Sequence, residues 1–398
     1  IEKTNGNLVS TQLLTSADQQ ACVTKYHATK CHIANSRKSK IIVIVMMIIC
    51  VWQICIDKLS TMKKEIKMKK VLASAAVFSF IIGLGSVSAQ ALETPEEDLG
   101  KLLYESTLLS LDETQSCATC HNAAVGFADD TAVSLGDDLI STGGRNAPTS
   151  AYAGFSPILH KAKGEYVGGM FWDGRATGYT LGDPLAEQAQ GPPLNPVEMH
   201  MPDKQSIIDR ISVDLDIAPL FLDVYGPAAF DDVDQAYDNL ARAIAAYERS
   251  SEVTRFTSRY DTGVLNDQEL RGLRLFSQNC TTCHAMGTFG GDQPLFTNYK
   301  YVNAGVPMNQ ALFDDPNCAY EYPDLRLGGY LDDRREDDTL KIPTLSNIAM
   351  TAPYTHNGIF TDLREMVSFM NDNRAYTPEV PHNLSKQVGN LHLSDDEI

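Results

Sequence analysis

Cys117-Ala118-Thr119-Cys120-His121 and Cys280-Thr281-Thr282-Cys283-His284 are two copies of one five-residue pattern, and their reading decides the fold. The spacing lets two thiols bond the vinyl groups of one haem while the adjacent imidazole ligates its iron. With 9 Cys and 9 His in 398 residues, roughly 0.005 such matches are expected by chance. Two matches therefore predict two covalently attached c-type haems. A zinc or disulfide site is the less specific alternative for the same side chains.

Working outward, each pattern follows a helix signal. Thr94-Pro95-Glu96-Glu97 combines a capping box with Pro at the first helical position, and Leu99, Leu102 and Leu103 supply an apolar face before Cys117. Asn266 caps a second helix with Glu269 three residues on, and Leu270, Leu273 and Phe276 lead into Cys280. A third periodic stretch, Asp234 to Ser250, carries Tyr237, Leu240, Ile244 and Tyr247 as core. Strand signals are sparse. The expected fold is mainly α: two cytochrome c-like domains, 92–255 and 256–398, each with one covalently bound haem. Long irregular loops, 122–170 and 285–340, are expected to wrap the haems.

The N-terminus reads as an export signal. Lys69-Lys70 precedes an apolar run from Val71 to Leu84 and small-residue cleavage sites at Val87-Ser88-Ala89 or Ala89-Gln90-Ala91. Covalent haem attachment belongs outside the bacterial cytoplasm, so both features predict a periplasmic protein. The chain begins with Ile1, and Met62 or Met68 is the more sensible start, so 1–91 is read as an over-extended N-terminus plus signal peptide. The apolar run Ile41 to Ile56 contains Gln53 and is short for a membrane span. At the other end, Ser394 to Ile398 opens a capping box with no helix behind it, and the C-terminus is expected to be truncated.

Without residues 1–91 the chain keeps 21 basic and 47 acidic residues, a net charge of about −26 against −18 for the whole. Nucleic acid is excluded as a partner on that balance. A small redox protein with a basic face would be steered toward such a surface at low salt, although solubility alone also accounts for it. Of the 9 Cys, four lie in 1–91, four bind haem, and Cys318 is left, expected to be a buried free thiol.

Four further stretches carry a resemblance: Phe171-Trp172-Asp173-Gly174-Arg175-Ala176, Glu187-Gln188-Ala189-Gln190-Gly191-Pro192, Asn195-Pro196-Val197-Glu198-Met199 and Thr351-Ala352-Pro353-Tyr354-Thr355-His356-Asn357-Gly358. With both haem motifs in order, Leu99 to Leu393 resembles the bacterial di-haem cytochrome c peroxidase family, which includes the MauG-like proteins. The resemblance implies that the haem on His121 reacts with peroxide and that the haem on His284 collects electrons. It implies that Glu198 is the active-site carboxylate that moves the peroxide proton, that Gln188 is its neighbouring amide, and that Trp172 lies between the haems. Met370, 14 residues after His356, matches the Met that ligates the second iron in the peroxidases, where MauG-like members have Tyr. From spacing alone Met366, Val367 and Met370 read as core. Asn146, Thr351 and Pro353 match the family's inter-haem calcium site.

One departure bears on mechanism. Gly136 matches a family Gly, and the next residue is Asp137, where many peroxidases carry the His that blocks the first haem at rest. No His lies between His121 and His160, so the first haem is expected to be open, with His160 or a rearranged loop as the remaining candidates to reach the iron.

The resulting expectation is a periplasmic peroxidase reducing hydrogen peroxide with electrons from a small cytochrome c or cupredoxin. A MauG-like enzyme oxidising Trp or Tyr of a partner protein stays open as the alternative. So does a two-haem electron carrier, because spacing establishes haem attachment and not reactivity. By family resemblance a homodimer is a further option.

Overall fold

The computed structural model describes residues 94–287 and 293–398. The export-signal reading and the apolar run Ile41 to Ile56 lie outside the described residues. Among the described residues no helix is long and apolar enough to cross a membrane.

The capping boxes form as the sequence requires. Thr94 accepts from the Glu97 amide and opens α1 (Pro95–Glu105) with Pro95 in its first turn. The first Cys-x-x-Cys is itself a single turn, α2 (Cys117–Cys120), with His121 as its C-cap. Then follow α3 (Pro184–Ala189), α4 (Gly191–Leu194), α5 (Lys204–Val213), α6 (Ile217–Tyr225) and α7 (Val233–Arg249). Asp232 caps α7 through the Gln235 amide, and Tyr237, Leu240, Ile244 and Tyr247 are all buried along it. Asn266 and Glu269 cap α8 (Asp267–Asn279), which delivers Cys280 at its C-cap.

Short α9 (Gln310–Asp314) and α10 (Arg326–Leu331) precede α11 (Leu363–Asn371), capped by Asp362. Strands are brief: β1 (His160–Ala162) pairs antiparallel with β2 (Glu165–Val167), and β3 (Tyr301–Val302) with β4 (Leu340–Lys341). The fold is mainly α, and the stretches 122–170 and 285–340 contain only these strands, short helices and 3-10 turns among their described residues.

The main core forms where α1 crosses α7. Leu99, Leu103 and Tyr104 meet Leu240, Ile244 and Tyr247, with Ile207, Ile211 and Phe221 from α5 and α6 closing the far side. Each fully buried Leu or Ile contributes about 1.5–3 kcal/mol. The helices approach so closely at Gly100 that a Cβ there would stand 1.9 Å from the Ala243 carbonyl oxygen. Two smaller clusters form later in the chain. Ala304, Val306 and Leu340 pack against Trp172 and Met370, while Tyr354, Phe360 and Phe369 pack against Met366 and Met370. Met370 therefore touches both. Ser394 repeats the capping pattern at the end, its amide donating to the Glu397 carboxylate at 3.0 Å.

Candidate haem-binding active site

The turn of α2 places Cys117 and Cys120 on the wall of a cavity of about 520 Å³, with His121 beside them. Burial pushes the Cys120 thiol up to about 11 and the Cys117 thiol further in the same direction. All five described cysteines are free, and no group of three or more His, Cys, Asp or Glu among the described residues could hold a metal ion. The zinc and disulfide readings thus find no support in the geometry. Nδ1 of His121 faces the Phe127 carbonyl at 3.3 Å, and the Pro148 carbonyl acts on the same ring. Holding Nδ1 orients the ring and leaves Nε2 available to a metal. Burial lowers the His121 pKa, which keeps the imidazole neutral as an iron ligand must be. The residues fit a covalently held haem.

The same cavity is lined by Gln188 from α3 and by Glu198. Glu198 sits in a turn closed by its amide on the Asn195 carbonyl at 3.1 Å. Nδ2 of Asn195 donates to Glu198 Oε1 at 2.7 Å. Burial raises the Glu198 pKa, opposed by the Arg175 guanidinium and by Asn195. The carboxyl therefore holds a proton more readily than a solvated one, the property a proton carrier needs. Glu187, beside Gln188, is spent otherwise: its carboxylate accepts from the amides of Gly178, Thr180 and Leu181 at 2.6, 2.6 and 2.9 Å.

Trp172 lines this cavity and also a second, smaller one that reaches Ile342 and Pro343. Its indole Nε1 donates to the Asn146 carbonyl at 2.9 Å, and its own carbonyl accepts from the Lys341 amide at 3.0 Å. Asn146-Ala147-Pro148 leads to the carbonyl that acts on His121. Lys341-Ile342-Pro343 leads likewise to the carbonyl that acts on His284. Lys341 is itself enclosed: Nζ donates to the Gly169 carbonyl at 2.7 Å, and burial lowers it to about 7.

The second motif mirrors the first. His284 Nδ1 faces the Phe296 carbonyl at 2.8 Å. Phe127 and Phe296 both adopt left-handed backbone, φ 60° and 53°, which costs about 1 kcal/mol or more for such residues and turns each carbonyl toward an imidazole. Cys280 and Cys283 are half-buried at the end of α8. Met370 is half-buried on α11 and meets Trp172 through their shared apolar cluster. Of the proposed calcium residues, Asn146 is buried, its Nδ2 donates to the Thr131 carbonyl at 3.0 Å, and its amide donates to the His356 carbonyl at 2.6 Å. That bond ties its loop to the one carrying Thr351 and Pro353.

A family model described as di-haem cytochrome c peroxidase matches residues 94–269. The methylamine utilization protein MauG of Paracoccus denitrificans is 37% identical over 332 residues, covering 78% of this chain and 84% of that protein. The chain belongs to the di-haem cytochrome c peroxidase family. The cytochrome c551 peroxidase of Pseudomonas aeruginosa is 30% identical over 314 residues, covering 76% of this chain and 79% of that one. The crystal structure of the di-haem peroxidase BthA from Burkholderia thailandensis matches with a TM-score of 0.64 and 27% identity, over 76% of this chain and 79% of that one. At this level the protein is a haem-binding oxidoreductase acting on peroxide.

Asp137 is turned away from the cavity. Its carboxylate accepts from the Asp112 amide at 2.7 Å and the Thr114 hydroxyl at 2.9 Å. Its amide donates to the Glu198 carbonyl at 2.7 Å, so Asp137 braces the turn that carries Glu198. Gly136 is required for that approach, because a Cβ would come 2.8 Å from the Val197 carbonyl oxygen. His160 is exposed on β1, bonded to the Ile158 carbonyl, and does not line the cavity. Cys318 is half-buried rather than buried, and its thiol donates to the Gly143 carbonyl at 3.4 Å.

Sequence reasoning quoted Asn195 only as part of a motif, without a role, and missed Arg145 and Glu248. Arg145 binds Asp173 at 2.6 Å and Asp324 at 2.8 Å on the cavity wall, a link of residues 179 apart in sequence whose only advance signal was Arg145 preceding Asn146. Glu248 lines the same cavity from α7, where the periodicity marked it only as part of a core helix. It is buried with Oε2 unbonded, and burial pushes it up to about 8.

Proposed function

We propose that the protein is a periplasmic di-haem c-type peroxidase that reduces hydrogen peroxide to water with two electrons from a small cytochrome c or cupredoxin. The observation that carries this reading is the half-buried Glu198, its pKa raised by burial, on the wall of the cavity that also holds Cys117, Cys120 and His121. A haem bonded there supplies the iron at which the O–O bond is cleaved. Glu198 would take a proton from one peroxide oxygen and return it to the other, which leaves as water. Asn195 holds the carboxyl in place, and Gln188 offers its amide to the same space. Residues 92–255 form the peroxidatic half. In 256–398, His284 and Met370 would hold the second iron, and Trp172 of the first half would carry electrons between the two. Asn146, Thr351 and Pro353 supply oxygen ligands to a calcium ion.

Replacing Glu198 with Gln is expected to slow the reaction with peroxide by roughly 10²-fold or more with both haems still attached. An unchanged peroxide rate in stopped flow removes Glu198 from the chemistry.

A second reading has its own support. The 37% identity with MauG and the absence of a blocking His at 137 favour oxidation of Trp or Tyr on a partner protein, while Met370 in place of Tyr speaks against it. Steady turnover with reduced cytochrome c supports the peroxidase. Oxidising equivalents that persist until a partner protein is added support the alternative.

A further inference from the structure

The two haem motifs hold their imidazoles with the same parts, joined differently. Beside His121, Gly126-Phe127 meets Pro148-Thr149-Ser150; beside His284, Leu295-Phe296 meets Pro343-Thr344-Leu345. Thr149 Oγ1 donates to the Gly126 carbonyl at 2.6 Å, and Thr344 Oγ1 donates to the Leu295 carbonyl at 2.7 Å. The next amide breaks the match. Leu345 donates to the Leu295 carbonyl at 3.3 Å, so among the described residues the Phe296 carbonyl serves His284 alone, 2.8 Å from its Nδ1. Ser150 instead donates to the Phe127 carbonyl at 2.9 Å, and His121 Nδ1 stands 3.3 Å from that same oxygen.

What lies behind Ser150 has no counterpart at Leu345, which carries no hydroxyl. Ser150 is buried, with its Oγ 2.8 Å from the Tyr104 hydroxyl of α1, and it acts on the Glu248 carboxyl of α7. Tyr104 donates in turn to the His121 carbonyl at 3.2 Å. Each hydroxyl has one hydrogen to give. With Tyr104 donating to His121 and Ser150 to Tyr104, the Ser150 oxygen is left to accept, and Glu248, kept protonated by burial, supplies that hydrogen.

We propose that Ser150, pinned by Tyr104 and Glu248, is a positioning residue that weakens the His121 Nδ1 hydrogen bond by sharing its acceptor, making the first imidazole a poorer electron donor to iron than the second. A carbonyl oxygen already engaged by an amide draws less on a second N–H, and a ligand with a weaker outer partner is less basic. Less charge then reaches the iron, and the oxidised first haem is the stronger oxidant for it. This is the direction in which electrons must be drawn from the second site. The inference needs a haem on His121 and no step of the peroxide reaction.

The test is potentiometry of the di-haem holoprotein at neutral pH, with the iron–histidine stretch of the ferrous first haem read by resonance Raman. Ser150→Ala and Glu248→Leu each unpin the Ser150 amide, so the Nδ1 bond is expected to tighten. The first midpoint then falls by about 59 mV, a tenfold change in the ferric to ferrous ratio at fixed poise, and the iron–histidine frequency rises. Glu248→Gln, whose side-chain amide still donates to Ser150, is expected to keep both at wild-type values. The second midpoint moves in none of the three. Should Glu248→Leu lose haem, Ser150→Ala decides alone. An unmoved or rising first midpoint, an equal movement of both haems, or a Glu248→Gln shift as large as that of Glu248→Leu overturns the proposal. The expected shifts in a protein inert to peroxide retain it and remove the peroxidase reading.

Discussion

Asp137 stands where a blocking histidine would be, and its carboxylate is engaged by the Asp112 amide and the Thr114 hydroxyl away from the cavity. His160 is exposed on β1, and His121 is the single histidine among the described residues lining the cavity. Electron paramagnetic resonance of the fully oxidised holoprotein is accordingly expected to show a high-spin ferric signal at neutral pH. Two low-spin signals and nothing else would contradict it. Glu248 carries a pH dependence of its own. Burial raises it from an ordinary 4.5 to about 8, so between those values the folded chain retains a proton that the unfolded chain has released. Stability therefore falls as pH rises through that window and levels off above it. Glu248→Gln removes the slope. In urea unfolding the variant is expected to match the wild type near about pH 5 and to exceed it by a few kcal/mol, on the order of 2–4, above about pH 8.

At the scale of elements, the contact of α1 with α7 depends on the bare backbone of Gly100. An added methyl group would collide with the Ala243 carbonyl and stand 2.9 Å from the Tyr247 Cβ. Neither neighbour is a flexible chain end. Gly100→Ala is expected to cost about 2–3 kcal/mol, read from the shift in unfolding midpoint. The helices were legible in advance because their signals are local. Thr94 with Glu97, and Asn266 with Glu269, state a start within four residues, and Tyr237, Leu240, Ile244 and Tyr247 state a face within three turns. The 134–143 hairpin was not legible. Its apolar residues point to solvent, its tip is held by the Asp138 carboxylate, and its pairing partner Cys318 is 176 positions away from Thr142.

Across the whole molecule, several candidate site residues could be named from sequence because each sits in a contiguous motif. Cys117, Cys120, His121, Gln188 and Glu198 line one cavity although they come from three separate stretches. What holds those motifs together was not legible. Arg145 joining Asp173 to Asp324, and the Asp137 amide on the Glu198 carbonyl, are contacts between segments, and no short window of sequence contains them.

Trp172 illustrates the limit of changing such a molecule by side-chain replacement. It grips one tripeptide with its indole N–H and the other with its main-chain oxygen. Exchanging the aromatic ring for phenylalanine unfastens only the Asn146 side. The Lys341 side outlasts any residue written at 172, so the two imidazole supports cannot be released together from this position.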